Sequence, residues 1–160
     1  MNILVIGAGG VGASMASIAE DRPFFSTFTL ADISVESAQR AIDELDDPSR
    51  FRAAAIDARN CDDIVALISA SDADIVVNAC DPRLNESIFD ACFAAGTNYL
   101  DMAMNLSRPH PTDPYNEVGV PLGAAQLAAD EAWREKGLLA LVGMGAVSYT
   151  HLTLPTILLV

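Results

Sequence analysis

Along the first hundred residues, apolar runs of about five residues alternate with longer stretches in which apolar positions recur at helical spacing. Residues 2–6 (NILVI) form the first run and stop at glycines, and residues 10–20 (GVGASMASIAE) supply small and apolar positions suited to a helix packed closely on a sheet. The pattern predicts strands over 26–32, 52–57, 73–79, 98–103 and 138–143, with helices over 34–45, 61–70, 85–96 and 123–137. Ser34 is placed to cap its helix, whose apolar positions Val35, Ala38, Ile42 and Leu45 share one face. Gly96 is placed to stop the 85–96 helix. Between Met104 and Leu122 the periodicity breaks at Pro109, Pro111, Pro114 and Pro121, which predicts an irregular loop.

Strands that are apolar almost throughout, alternating with helices, predict a parallel sheet covered on both faces. The expected fold is a single α/β domain, a doubly wound Rossmann sheet with strand order 3-2-1-4-5-6. At 160 residues, 51% of them hydrophobic, the chain has room for one sizeable core.

Charge narrows the partners. A formal net charge of −13 argues against nucleic acid, which needs clustered Lys and Arg. The three cysteines, Cys61, Cys80 and Cys92, form no CxxC pair, so neither a disulfide framework nor a metal site is indicated, and a cytoplasmic setting is expected. The N-terminus lacks the basic segment of a secretory signal.

The chemistry is concentrated in the first turn, where Gly7, Gly9 and Gly12 make GxGxxG between a strand and a helix, and Asp32 ends the second strand twenty residues later. In that context Gly7 serves the tight turn, Gly9 lets backbone approach a pyrophosphate, and Gly12 lets helix and strand pack closely. The anion would lie at the helix N-terminus, over Gly9, Gly10, Val11 and Gly12. Asp32, with Ile33 beside it, would accept ribose hydroxyls and repel a 2′-phosphate, which favours NAD while leaving NADP open to a nearby arginine. Asp57 and Ala58 end the third strand on the adenine side. Asn78, Ala79 and Cys80 end the fourth, where they would border the nicotinamide ribose. Cys80 reads as a small packing residue, Asp101 as a substrate contact or a cap, and His110 as a surface residue.

The segments VIGAGGVG, LADIS, IDARN, DIVVNACDP, FDACFAAGTNYLDMA and GMG, in this order over about residues 1–146, resemble the N-terminal nucleotide-binding domain of the saccharopine dehydrogenase-like family, to which carboxynorspermidine dehydrogenases are related. The resemblance implies hydride transfer between a nicotinamide cofactor and a carbon–nitrogen bond of an amino-acid-derived substrate. In such proteins a second domain holds the substrate and follows text like GMG. That continuation is missing here, so the resemblance carries over cofactor positions and no catalytic residue, and it leaves a homodimer open. A nucleotide-sensing domain of the potassium-transport type and a flavin enzyme share the same glycine turn and are the competing readings.

After Lys136 the chain has no charged residue apart from its terminus. A membrane span is disfavoured by the polar residues of SYTHLTLPT and by Pro155, and a seventh strand leaves the missing domain unexplained. Residues 147–156 (VSYTHLTLPT) instead match a frame-shifted translation of a transposase-type sequencing adapter, so 147–160 is expected to be adapter-derived rather than native. Codon 161 of the gene is then TAG, and an independent read through the locus continues with family-like sequence. A fragment of this kind would leave apolar surface exposed near the sixth strand.

Overall fold

The structure, a computed structural model, describes residues 1–145; the adapter-like segment 147–160 lies outside the described residues. Six parallel strands form one sheet in the order β3-β2-β1-β4-β5-β6, as expected from the sequence. They are β1 (Asn2–Ile6), β2 (Thr27–Asp32), β3 (Phe51–Ala55), β4 (Ile75–Asn78), β5 (Asn98–Asp101) and β6 (Ala140–Leu141). The helices are α1 (Gly10–Glu20), α2 (Val35–Asp43), α3 (Cys61–Ala70), α4 (Asn85–Ala95), α5 (Ala124–Ala128) and α6 (Asp130–Glu135). None of the described helices is long and apolar enough to cross a membrane.

The period-two geometry of β1 divides the core in two. Ile3 and Val5 pack on one face with Ala16, Phe28, Leu30 and Ile42, whereas Leu4 and Ile6 pack on the other with Ile64, Val76, Ile88 and Tyr99. Phe25, Phe28 and Phe51 meet at ring separations of 5.2–5.8 Å on the first face. Phe89 and Trp133 meet at 4.7 Å on the second. Burying both faces is what a nearly all-apolar central strand requires.

Register then sets the site. Ile6 pairs with Ala31 and with Asn78, Asp32 with Ala55, and Asn78 with Asp101, so the strand ends lie along one edge of the sheet. Strand order reverses between β1 and β4, which opens a crevice at that edge.

Two expected elements differ. The 123–137 helix is two short helices meeting at Ala129, whose φ of −83° and ψ of −2° interrupt the ladder. Its N–H bonds Gln126 O at 3.2 Å, the tighter 3₁₀ pattern. Each half is held by its own tertiary anchor, the buried Gln126 and the buried Trp133, and local propensity yields to them. In α2, which ends at Asp43, Ala38 and Ile42 are buried as expected and Leu45 is buried just past its end, but Val35 is at the exposed first position. At the sheet edge, Leu139 is 53% and Leu141 36% exposed.

Candidate functional site

The β1–α1 turn is built around close approaches that only glycine permits. Gly7 has φ +109°, and a Cβ there would lie 2.8 Å from Ala79 O. Its N–H donates to Ala31 O at 2.7 Å, which fastens the turn to β2. At Gly12 a Cβ would fall 1.9 Å from Gly7 O, so the helix can approach the strand only without a side chain. Gly9 and Gly10 are different. A Cβ at either meets nothing within 4 Å, and Gly9 has φ −70° with ψ −170°, extended backbone open to other residues. Their missing side chains are not needed for packing; they leave free space over the start of an eleven-residue helix that no side chain caps. That cradle fits a pyrophosphate, which takes hydrogen bonds from helix N-terminal N–H groups.

A crevice of about 270 Å³ leads from this turn along the strand ends. Gly7, Gly9, Asp32, Ile33, Asp57, Ala58, Ala79 and Cys80 all line it. Gly10 and Val11 sit exposed on the first turn of α1, outside that lining, and Gly12 is buried beneath it. Asp32 Oδ2 accepts the Ala8 N–H at 2.8 Å and Oδ1 the Ser34 N–H at 3.1 Å, so the carboxylate buttresses the glycine turn from below while it borders the crevice.

Asn78 departs from the expectation that it borders the ribose. It is 1% exposed and its side chain points into the sheet edge. Its Nδ2 donates to Asn85 Oδ1 at 2.7 Å and to Tyr99 Oη at 3.2 Å, and its Oδ1 accepts the Cys80 N–H at 2.9 Å. It therefore shapes the Ala79–Cys80 backbone instead of lining the crevice. Asp101, also 1% exposed, accepts from Tyr99 Oη at 2.9 Å, Gln126 Nε2 at 2.6 Å and the Gly143 N–H at 2.6 Å. Among the described residues no cation balances it; three donors do. Burial, opposed by the Asn78 hydrogen bond, holds the Tyr99 phenol above its ordinary range.

Cys80 is the packing residue the sequence suggests. Its Sγ donates to Ile6 O at 3.3 Å, and burial, followed by the charges of Asp32 and Asp81, pushes the thiol up to about 11. Such a thiol is not a nucleophile at neutral pH. No three or more His, Cys, Asp or Glu side chains among the described residues gather as a metal site.

Sequence reasoning missed the arginines. Two residues past β3, Asp57 takes Arg59 Nε at 2.9 Å and Nη2 at 2.7 Å, and three residues past β4, Asp81 takes the same two groups of Arg83, both at 2.8 Å. The side-chain hydrogen bonds from the arginines bring both carboxyls down to about 2. The repeated Asp-x-Arg spacing was the available signal. Arg59 lines the crevice on the side that holds Asp32 and Ile33.

A glycine cradle at a helix N-terminus, a strand-end acid and a crevice at the topological switch point define a dinucleotide-binding Rossmann domain. Residues 3–141 match the sequence family described as the saccharopine dehydrogenase NADP binding domain, and the chain belongs to that family. A carboxynorspermidine synthase of Vibrio alginolyticus is 35% identical over 112 residues, covering 65% of this chain and 27% of that protein. A carboxyaminopropylagmatine dehydrogenase of Synechocystis is 30% identical over 143 residues, covering 89% of this chain and 34% of that protein. The chain thus spans about a third or less of these relatives. Apo saccharopine dehydrogenase (L-Glu forming) of Saccharomyces cerevisiae superposes with a TM-score of 0.65 at 14% identity, over 90% of this chain and 27% of that one, which establishes the common fold. The family is one of oxidoreductases, and its cofactor is a nicotinamide dinucleotide.

Proposed function

We propose that this chain is the cofactor-holding part of an oxidoreductase that transfers hydride at a carbon–nitrogen bond of an amino-acid-derived substrate. The observation that carries it is the open space over Gly9 and Gly10 at the mouth of the crevice, in a chain whose family is named for binding NADP. The relatives named above, a carboxynorspermidine synthase and a carboxyaminopropylagmatine dehydrogenase, support the substrate class. Residues 1–146 make the nucleotide domain, and a substrate domain belongs to the full-length parent. By itself the chain binds cofactor without turnover.

When bound, the dinucleotide supplies the hydride acceptor or donor. The chain's own residues hold it. Gly9 and Gly10 admit the pyrophosphate, the N–H groups at the start of α1 bind it, and Asp32 fixes the turn and meets the adenosine ribose. Ala58 and Ile33 flank the adenine, and Ala79 and Cys80 close the opposite side.

The choice between NAD and NADP turns on Arg59. Both oxygens of Asp32 already accept backbone N–H groups, which lessens its repulsion of a 2′-phosphate, and Arg59 brings a guanidinium to the same side of the crevice. NADP is therefore accommodated by Arg59 leaving Asp57 for the phosphate. Titrating both nucleotides against Arg59→Ala tests this. The expected result is about tenfold weaker NADP binding with NAD unchanged, the loss of one charge-assisted contact. Equal NADP affinity in the variant and the parent refutes it.

A sensor of the potassium-transport type is not favoured, since the family match is to dehydrogenases. The three free cysteines suit a reducing cytoplasm.

A further inference from the structure

Behind the crevice wall runs a buried chain of polar side chains, Asn78, Asn85, Tyr99 and Asp101, none of which lines the crevice itself. It starts at the Ala79–Cys80 peptide, which does. The Ala79 N–H donates to Ile6 O at 2.8 Å, and Ala79 O lies against the glycine turn, 2.8 Å from where a Cβ on Gly7 would stand. The Cys80 N–H is held by a side chain instead, donating to Asn78 Oδ1 at 2.9 Å.

The sense of every bond in this chain follows from its ends, because a backbone N–H can only donate and a backbone carbonyl can only accept. The Cys80 N–H fixes which end of the Asn78 amide is oxygen, so Asn78 Nδ2 must donate, to Asn85 Oδ1 at 2.7 Å and to Tyr99 Oη at 3.2 Å. Asn85 is fixed in turn, since its Nδ2 donates to Ala103 O. Having accepted from Asn78, the Tyr99 hydroxyl donates to Asp101 Oδ2 at 2.9 Å. Burial holds the phenol above its ordinary range, so it keeps this proton at neutral pH. From the far side the Gln126 amide, oriented by the Asn105 N–H, donates to the same Asp101 oxygen, and the Gly143 N–H donates to the other. Among the described residues, Tyr99 is the one side chain bonded to both Asn78 and Asp101.

We propose that Tyr99 is a positioning residue for the nicotinamide half of the dinucleotide: through Asn78, its hydroxyl fixes the Ala79–Cys80 peptide against which that half lies. Asp101 orients the hydroxyl, and the hydroxyl gives the second Asn78 N–H its acceptor. The adenosine half lies against Asp32, Ile33 and Ala58, which none of the four side chains hydrogen-bonds. A tyrosine that served stability alone would act on both halves alike, whereas this chain of bonds meets only one. The proposal rests on the dinucleotide reading of the crevice.

Tyr99→Phe removes the hydroxyl and keeps the ring that packs on Phe89 at 5.2 Å and on Trp133 at 6.4 Å. Calorimetric titrations of the 160-residue chain and of this variant compare NADP with adenosine 2′,5′-bisphosphate, which carries the adenosine end alone. The variant should bind NADP about fivefold more weakly, the worth of one hydrogen bond, and the bisphosphate as the parent does. Gln126→Leu removes a donor to the same carboxylate from the far side, and it should lower the melting temperature without moving that ratio. In the parent itself, NADP should shift the Asn78 side-chain amide signals in ¹⁵N NMR spectra, and the bisphosphate should not. The proposal fails if Tyr99→Phe weakens both ligands equally or neither, if Gln126→Leu moves the ratio as much, or if the Asn78 signals do not respond to NADP. A parent that binds neither ligand overturns the dinucleotide reading and the proposal with it, so the two failures are told apart.

Discussion

Asp32 Oδ2 accepts the N–H of Ala8 at 2.8 Å, across 24 residues of sequence, so the acid at the end of β2 holds the glycine turn at the end of β1. Its other oxygen takes the Ser34 N–H at 3.1 Å, one residue before α2. The same carboxylate thus orders both walls of the crevice before any nucleotide arrives, and this preorganisation reduces what binding must spend on ordering them.

Asp32→Ala leaves two backbone N–H groups without their acceptor, and it should lower stability by about 1–2 kcal/mol. Dinucleotide affinity should fall with it. Thermal melts and titrations of the variant check both. An unchanged melting temperature would mean that water replaces the carboxylate fully.

The Asp57–Arg59 pair has a pH signature. Because hydrogen bonds from Arg59 depress the Asp57 carboxyl to about 2, the ionised pair is complete above the ordinary aspartate value of 3.8 and is lost only as pH falls through about 2. Following the Asp57 carboxyl carbon by NMR should give a midpoint near 2 in the parent and a higher one, toward 3.8, in Arg59→Ala. A midpoint in the ordinary range in the parent would show that Arg59 does not rest on Asp57.

The buried Asp101 side chain accepts three hydrogen bonds at the sheet edge. Asp101→Ala strands the Tyr99 hydroxyl, the Gln126 amide and the Gly143 N–H together, and the expected loss is about 3 kcal/mol by denaturant unfolding. A loss below about 1 kcal/mol would show that the network relaxes around the gap. Asp101→Asn keeps one acceptor oxygen and should fall between the two.

The fold and the glycine turn are legible in the sequence because both are local. β1 and α1 announce themselves within twenty residues, and the strand order follows from apolar strands linked by helices. Polar residues at strand ends were harder to read. Asn78 and Asp101 occupy the positions where a ligand contact is expected, yet their side chains turn inward to partners as distant as Asn85 and Gln126. Position along a strand is written in the sequence, whereas the direction a polar side chain takes depends on which distant group needs a partner. The break at Ala129 has the same origin, since no local residue dictates it and two separate tertiary anchors do. Arg59 and Arg83 were missed because each reads alone as a solvated turn residue; only their repeated pairing with an acid two residues earlier reveals them.

Gly9 offers the most direct test of the central claim, that the 7–12 turn is a pyrophosphate cradle. Its backbone is extended, and a Cβ there meets nothing, so Gly9→Val should fold, with its melting temperature lowered only slightly by the poorer helix cap. Calorimetric titration of NADP and NAD against the parent and Gly9→Val should show saturable binding in the first and none in the second. Undiminished binding in Gly9→Val, or no binding of either nucleotide to the parent, would contradict the account.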